Sequence, residues 1–228
     1  MKTDALGLTT VTLLAVPACS TDVAGAKPHT ASSAPTGQPH SAAQDAAPLS
    51  SAASETRLLD EHDLGSGYLH MPERPSRHDD VTVLGCPALN ELGGDAATGG
   101  SLTFPRKAKA TITYAGSSNS EVTEELYSDS AEKLSNGISR VFNAMTGCPT
   151  YRVVAGGTAV DMASQKLTAP HQLGDEQWSQ LLTFTTGRHS SVVQQTAIRT
   201  GNILVIVSGA PALVDRHLDK ALDKATSS

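Results

Sequence analysis

Aromatic residues are scarce in this chain. Its 228 residues include 1 Trp, 4 Tyr and 3 Phe, or 4% aromatics. That disfavours a stacking platform for bases or sugars. Basic residues are outnumbered: 17 Lys and Arg against 23 Asp and Glu, a formal charge of −6. A nucleic-acid binder needs a basic stripe to displace counterions from phosphates, so that class is excluded. No apolar run approaches the ~20 residues of a spanning helix. With 3 Cys, the chain is no disulfide-dense miniprotein. It has no CxxC or Cys/His spacing for zinc. GxSxG, HExxH, the P-loop and GxGxxG are all missing. Nothing in the sequence therefore implies a cofactor, a metal or an enzyme.

The odd number of cysteines directs attention to the N-terminus. The chain opens MKTDALGLTTVTLLAVPACS. An apolar segment from Ala5 to Val16, too short to span a bilayer, reads as the core of a secretory signal. Leu14-Ala15-Val16-Pro17-Ala18-Cys19 resembles the lipobox of bacterial lipoproteins. Pro17 departs from its usual pattern, and Lys2 is offset by Asp4 in a start that normally carries several positive charges. The resemblance implies cleavage after Ala18 and a diacylglycerol thioether on Cys19. The bland alternative is an ordinary cleaved signal followed by an incidental Cys. Residues 1–18 are thus expected to be a lipoprotein signal peptide, and the partner implied at this end is the membrane.

From Cys19 to Ser54 the composition supports export. Ala, Ser, Thr, Pro and Gly dominate, and Val23 and Leu49 are the larger aliphatics. Such a stretch cannot bury enough apolar area to offset its ordering entropy. Residues 19–54 are read as a lipidated Cys with a flexible tether. Its r.m.s. span is about 30–35 Å, and His29 and His40 within it are read as solvated. Cys86 and Cys148 are left as an even pair in an exported domain, where a bridge is the default. Closing that loop gains about 4 kcal/mol in the chain-entropy account.

Residues 55–228 read as one α+β domain: a mostly antiparallel sheet with two main helices packed on it. Arg57 to Leu64 suits a short helix stopped by Gly65, and Gly67-Tyr68-Leu69 starts an extended segment. Pro72 to Asp80 reads as a loop, and Pro87 to Leu92 as a helical turn closed by Gly93-Gly94. Gly99-Gly100 precedes a strand at Lys109–Tyr114, and Glu121–Tyr127 is its partner across a turn at Gly116–Ser120. Trp178, Gln180, Leu182, Phe184 and Thr186 share one strand face. Val192–Arg199 and Ile203–Val207 flank Thr200-Gly201-Asn202, a hairpin signal because Gly and Asn tolerate positive φ. Ala131, Leu134, Ile138, Val141, Phe142 and Met145 form a helical stripe. It begins at an Asp129/Glu132 spacing of the capping-box kind and stops at Gly147-Cys148-Pro149. A last helix starts near Pro211, with Leu213, Val214, Leu218, Ala221 and Leu222 on one side. Both helices are expected on one face of the sheet.

Catalytic motifs are present only as weak matches, each with a plain structural alternative. Ser130-Ala131-Glu132-Lys133 fits the SxxK of penicillin-recognising enzymes, and Thr185-Thr186-Gly187 loosely echoes their KTG box. Ser130 also stands where a helix start wants a Ser. His62-Asp63 and His78-Asp79-Asp80 could ligate a metal but lie in polar stretches. Asp60-Glu61 and Asp79-Asp80 imitate a glycosidase pair, and the domain's other histidines, His70, His171 and His189, belong to no motif. His217 borders an apolar helix side and reads as packing, and Arg106, Lys107 and Lys109 read as a solvated strand edge. No catalytic residue is assigned.

Taken in order, Leu58-Leu59 to Leu64, Gly67-Tyr68, Gly85-Cys86-Pro87, the helix from Ser130 into Gly147-Cys148, Gly174-Asp175 and Ile198-Arg199-Thr200-Gly201-Asn202-Ile203-Leu204-Val205 resemble the PknH-like extracellular sensor domain of actinobacterial lipoproteins and of a receptor serine/threonine kinase. The resemblance spans Glu55 to Ser228. It implies an α+β sensing or ligand-binding module with a central antiparallel sheet and a cleft. Members carry two disulfides where this chain can form one. The expected function is a lipid-anchored ligand-binding or sensor-type domain on the extracytoplasmic face of the cell membrane, or a secreted one if Cys19 is unmodified. Its ligand would be a small molecule or a cell-wall component. The alternatives are a carrier or chaperone for a lipid or wall precursor, and a wall-active hydrolase.

Overall fold

A computed structural model describes residues 47–72, 81–97, 102–115 and 120–227. The signal, Cys19, His29, His40, His78, Asp79-Asp80, Gly99-Gly100 and nearly all of the Pro72–Asp80 and Gly116–Ser120 loop readings lie outside them. The chain runs α1 (Ser51–Glu55), α2 (Glu61–Leu64), β1 (Tyr68–Met71), β2 (Val81–Leu84), α3 (Pro87–Leu92), α4 (Gly94–Ala97), β3 (Lys107–Tyr114), β4 (Glu121–Ser128), α5 (Ala131–Gly147), β5 (Thr150–Ala155), β6 (Thr158–Lys166), β7 (Glu176–Thr186), β8 (His189–Thr200), β9 (Ile203–Gly209) and α6 (Pro211–Thr226). The strands form one nine-stranded sheet ordered β1-β3-β4-β9-β8-β7-β6-β5-β2, antiparallel throughout. Consecutive hairpins from β5 to β9 build most of it. In the β8–β9 hairpin Thr200 pairs with Ile203 across Gly201, whose φ of 56° suits a residue without a Cβ.

The two long helices lie on opposite faces, which corrects the expectation of one shared face. Leu204 and Ile206 of β9 join Leu134 and Ile138 of α5, whereas Ile203, Val205 and Val207 join Val214, Leu218, Ala221 and Ala225 of α6. Successive residues of a strand point to opposite sides, so β9 is buried on both. The expected short helix over Arg57–Leu64 shrinks to α2, because Asp60 adopts extended backbone and caps it, accepting from His62 N at 2.8 Å and Asp63 N at 3.1 Å. At α5 the cap is Ser130 rather than Asp129. Ser130 Oγ accepts from Lys133 N, while Asp129 Oδ1 accepts from Ser130 N at 2.7 Å.

The fold also takes in residues 47–54, assigned above to the tether. Leu49 packs against the α6-side core and donates its N–H to Ser128 Oγ at 2.8 Å, and Ser54 in α1 is buried. The strap continues through Arg57, which reaches Ala225 O at 3.1 Å, to Leu58 and Leu59 in the core. Leu59 N donates to Glu124 Oε2 at 2.6 Å. Glu124 is 1% exposed, and its Oε1 has no hydrogen-bond partner among the described residues. Burial pushes its carboxyl up to about 8. Beside it Lys224 pairs with Asp63 and, at 2.9 Å, with Asp60, tying α2 to α6. The hydrogen bond from Lys224 holds Asp60 down at about 2.

Cys86 and Cys148 form a disulfide, Cα–Cα 5.7 Å, that closes a separation of 62 residues. It joins the start of α3 to the end of α5 above a core of Leu89, Met145, Tyr151, Val153, Met162 and Leu182. A Cys86→Ala/Cys148→Ala variant should lose about 4 kcal/mol of unfolding free energy, read from urea midpoints. Glu124 adds a pH signature. Its folded pKa lies above its unfolded one, so its contribution is complete below pH about 4.5 and falls as pH rises through about 8. Glu124→Gln, fixed neutral, should flatten this decline, so that wild type loses ground to the variant between pH 5 and 9 in urea unfolding series. Parallel pH profiles would contradict it.

Candidate functional site

The α6 face of the sheet is half covered. α6 packs over β4, β9 and β8, and the face presented by β7, β6, β5 and β2 lies beyond it. Where cover meets open sheet there is a cleft of about 450 Å³. Its floor is Gln177, Ser179, Gln194 and Thr196, one wall is Asp215, Leu218 and Asp219 of α6, and the other is the 167–173 segment with His171. The floor residues share a face through the β7–β8 register, which sets Ser179 opposite Thr196 and Gln177 opposite Ile198.

This floor is polar and held in place. Ser179 and Thr196 share a hydroxyl–hydroxyl bond of 2.8 Å, and Gln194 Nε2 donates to Asp215 Oδ1 at 2.7 Å. Gln177 Oε1 accepts from Leu173 N at 2.8 Å, fastening the wall to the floor. Buried hydroxyls and amides cost free energy unless bonded. Here the bonds are made within the protein, so the side chains are positioned before any ligand arrives. Further out on the open face, a shallower depression of about 530 Å³ holds Leu84, Thr150, Arg152, Asp161 and Thr183. Arg152 Nε donates to Asp161 Oδ1 there at 2.7 Å.

The 167–175 wall is seated by Gly174. Its φ is +64°, and a Cβ there would lie 2.6 Å from Arg199 O and 2.7 Å from Ile198 Cγ2. Next to it Asp175 Oδ2 accepts from Arg199 Nη1 at 3.0 Å and from Gly201 N at 2.8 Å. Gly174-Asp175 is therefore the anchor that holds the wall against the β8–β9 turn.

The weak catalytic matches do not assemble. Ser130 is a helix cap and Lys133 pairs with Asp129 at 3.4 Å. Thr185 and Thr186 end β7, paired with Ser190 and His189, and Gly187 opens the β7–β8 turn. The His62 side chain is 97% exposed, and Asp60 and Asp63 are engaged by the α2 cap and Lys224. His70 and His189 are exposed. His217 is buried against the edge of the Tyr68 ring, its centroid 5.7 Å away, and burial followed by the nearby Arg216 and Lys220 charges lowers its pKa. Lys109 pairs with Glu125 at 2.9 Å. Among the described residues no group of three His, Cys, Asp or Glu is placed to hold a metal ion. Of the sequence candidates, His171 alone lines the cleft. Gln177, Ser179, Gln194, Thr196 and Asp215 were not singled out. Their signal was the run of uncharged polar residues on strands otherwise rich in apolar ones.

This architecture is similar in fold to a solved extracellular domain of the family that the order of motifs resembles. The extracellular domain of PknH from Mycobacterium tuberculosis superposes with a TM-score of 0.59 at 14% identity, over 79% of this chain and 98% of that one. An uncharacterised protein of Mycobacterium smegmatis gives a TM-score of 0.39 at 10% identity, over 72% of this chain and 91% of that one. At 14% identity the likeness to the PknH domain is one of fold. No family profile and no curated protein matches the sequence.

Gly174→Ala should displace the wall. The expected cost is about 2 kcal/mol, with faster proteolytic cleavage within 167–175. Urea unfolding and timed proteolysis measure the two effects.

Proposed function

We propose that this protein is an extracytoplasmic ligand-binding domain of the sensor type, held to the membrane by a lipid on Cys19. The observation that carries the reading is the cleft between α6 and the 167–173 wall, with its prearranged floor of Ser179, Thr196 and Gln194. A concave site with a few fixed polar groups is the usual form of a small-molecule site. The likeness to a domain that is extracellular in PknH supports the location. So does the lipobox-like run ending in Cys19, followed by a stretch rich in Ala, Ser and Pro. In this reading residues 1–18 are a signal peptide, residues from Cys19 form the tether, and the protein binds without catalysis. The hydroxyl and amide floor favours a hydrogen-bonding small molecule or wall component over the acyl chain that a lipid carrier would hold. The SxxK version of a hydrolase is disfavoured because Ser130 Oγ is spent on the α5 cap.

Two measurements test the proposal. Cys19→Ser should move the protein from the membrane to the soluble fraction, and unchanged retention would refute the anchor. Mass spectrometry of small molecules co-purifying with the native protein should find a species that is lost from Asp219→Phe, whose ring would fill the cleft from the α6 wall. Identical spectra from both proteins would remove the cleft from the proposal.

A further inference from the structure

The chain's single tryptophan lies on the other face of the sheet. The α6-side residues of β7 are Gln177 and Ser179, so Trp178 points to the α5 side, where it is partly buried against the core cluster that holds Leu134, Ile138, Leu204 and Ile206. β6 pairs with β7 only as far as Gln180. Glu176, Gln177 and Trp178 therefore outrun it, and the 167–175 segment crosses this free end. A second depression of about 460 Å³ opens there, lined by Trp178, Gln172, Asp175, Glu176, Gln177 and, from α5, Ser139.

We propose that this depression is a saccharide-binding subsite, with the Trp178 indole as its apolar wall. Its polar groups are set before any ligand enters. Glu176 accepts from Arg199 and, at 2.9 Å, from Ser135 Oγ. Asp175 Oδ2 is fixed by Arg199 and Gly201 N. Gln172 Nε2 donates to Asp175 O at 2.9 Å, and Gln177 Oε1 accepts from Leu173 N. Those bonds leave Asp175 Oδ1, Gln172 Oε1 and Ser139 Oγ without partners among the described residues. They supply acceptors and a hydroxyl that both donates and accepts, within one depression. Vicinal sugar hydroxyls both donate and accept, which suits such a mixed set, and the C–H face of a sugar ring suits an indole. Arg199 is 13% exposed and committed to the two carboxylates. Among the described residues that line the depression there is no Lys, Arg or His to recruit a phosphate or sulfate, and the ligand class is a neutral oligosaccharide. A low aromatic content weighs against sugar stacking in general, but one indole in the right place is enough.

The site carries its own reporter, because all indole fluorescence of the full chain comes from Trp178. Titration with the trisaccharides of N-acetylglucosamine, α-1,4-glucose and mannose should give a saturable change for at least one of them. That change should persist at about 0.5 M salt, where a charge-driven contact is screened. Gln172→Ala and Ser139→Ala, with circular dichroism as the folding check, should each weaken it about five- to tenfold. The proposal is overturned if none of the three sugars responds up to about 50 mM, if spermidine or inorganic phosphate produces the change instead, or if both variants bind like the parent. It stands apart from the α6 cleft: Asp219→Phe should leave this titration unchanged, so failure of one reading is distinguishable from failure of the other.

Discussion

A helix covers little of a sheet this wide. Strands lie about 4.8 Å apart, so nine of them span about 38 Å from edge to edge. A helix is about 10–12 Å across and shields two or three strands. With two long helices, one on each face, part of the sheet must meet water unless short segments cover it. On the α5 side, α3 and α4 extend the cover over β2 and, through Ala97 O and Tyr151 OH, to β5, and the disulfide ties the start of α3 to the end of α5. On the α6 side, residues 49–68 extend it over β3 and β4. Nothing described extends it over β5 to β7, and the cleft marks where the cover ends.

The polar character of the site follows from this geometry. Thr196 and Ile198 lie on the same face of β8, yet Ile198 sits in the α6 core while Thr196 floors the cleft. At that margin the floor must tolerate water, and paired hydroxyls and amides do so without leaving a donor or acceptor orphaned. The same bonds attach the 167–175 wall through Gln177 and Leu173, and Gly174-Asp175 fixes its far end to the β8–β9 turn. One segment therefore borders depressions on both faces.

Much of the architecture was legible in the chain. Period-two alternation located β3, β4 and β7, helical spacing located α5 and α6, and Gly201 with the runs on either side of it marked the β8–β9 hairpin. The edge strand β2 and the hairpin β5–β6 escaped, because their exposed positions carry Thr, Arg, Asp and Gln, leaving short apolar runs in a polar stretch. The opposite placement of the helices had a signal that was misread. Ile203 to Val207 is apolar at every position, the mark of a strand buried on both faces. The capping misassignment at α5 was smaller: Asp129 and Ser130 are both good caps, and the backbone put the boundary at Ser130. The start of the fold came eight residues early because Leu49 and Ser54 gain their burial from partners far along the chain.

The sequence alone determined the local elements, the pairing of the last two cysteines and the likeness to a PknH-like module. Periodicity, caps and motif order are properties of neighbouring residues. Tertiary structure decided which face each helix covers and where cover runs out. It also decided that Gln177, Ser179, Gln194, Thr196 and Asp215 converge, and that the lone tryptophan stands beside Gln172 and Ser139. Those facts depend on strand register and on contacts between distant segments. A buried Glu124 on β4 shows the same division: its sequence neighbours give no hint of an altered acidity, and only the Leu58-Leu59 strap and α6 laid over it remove the water.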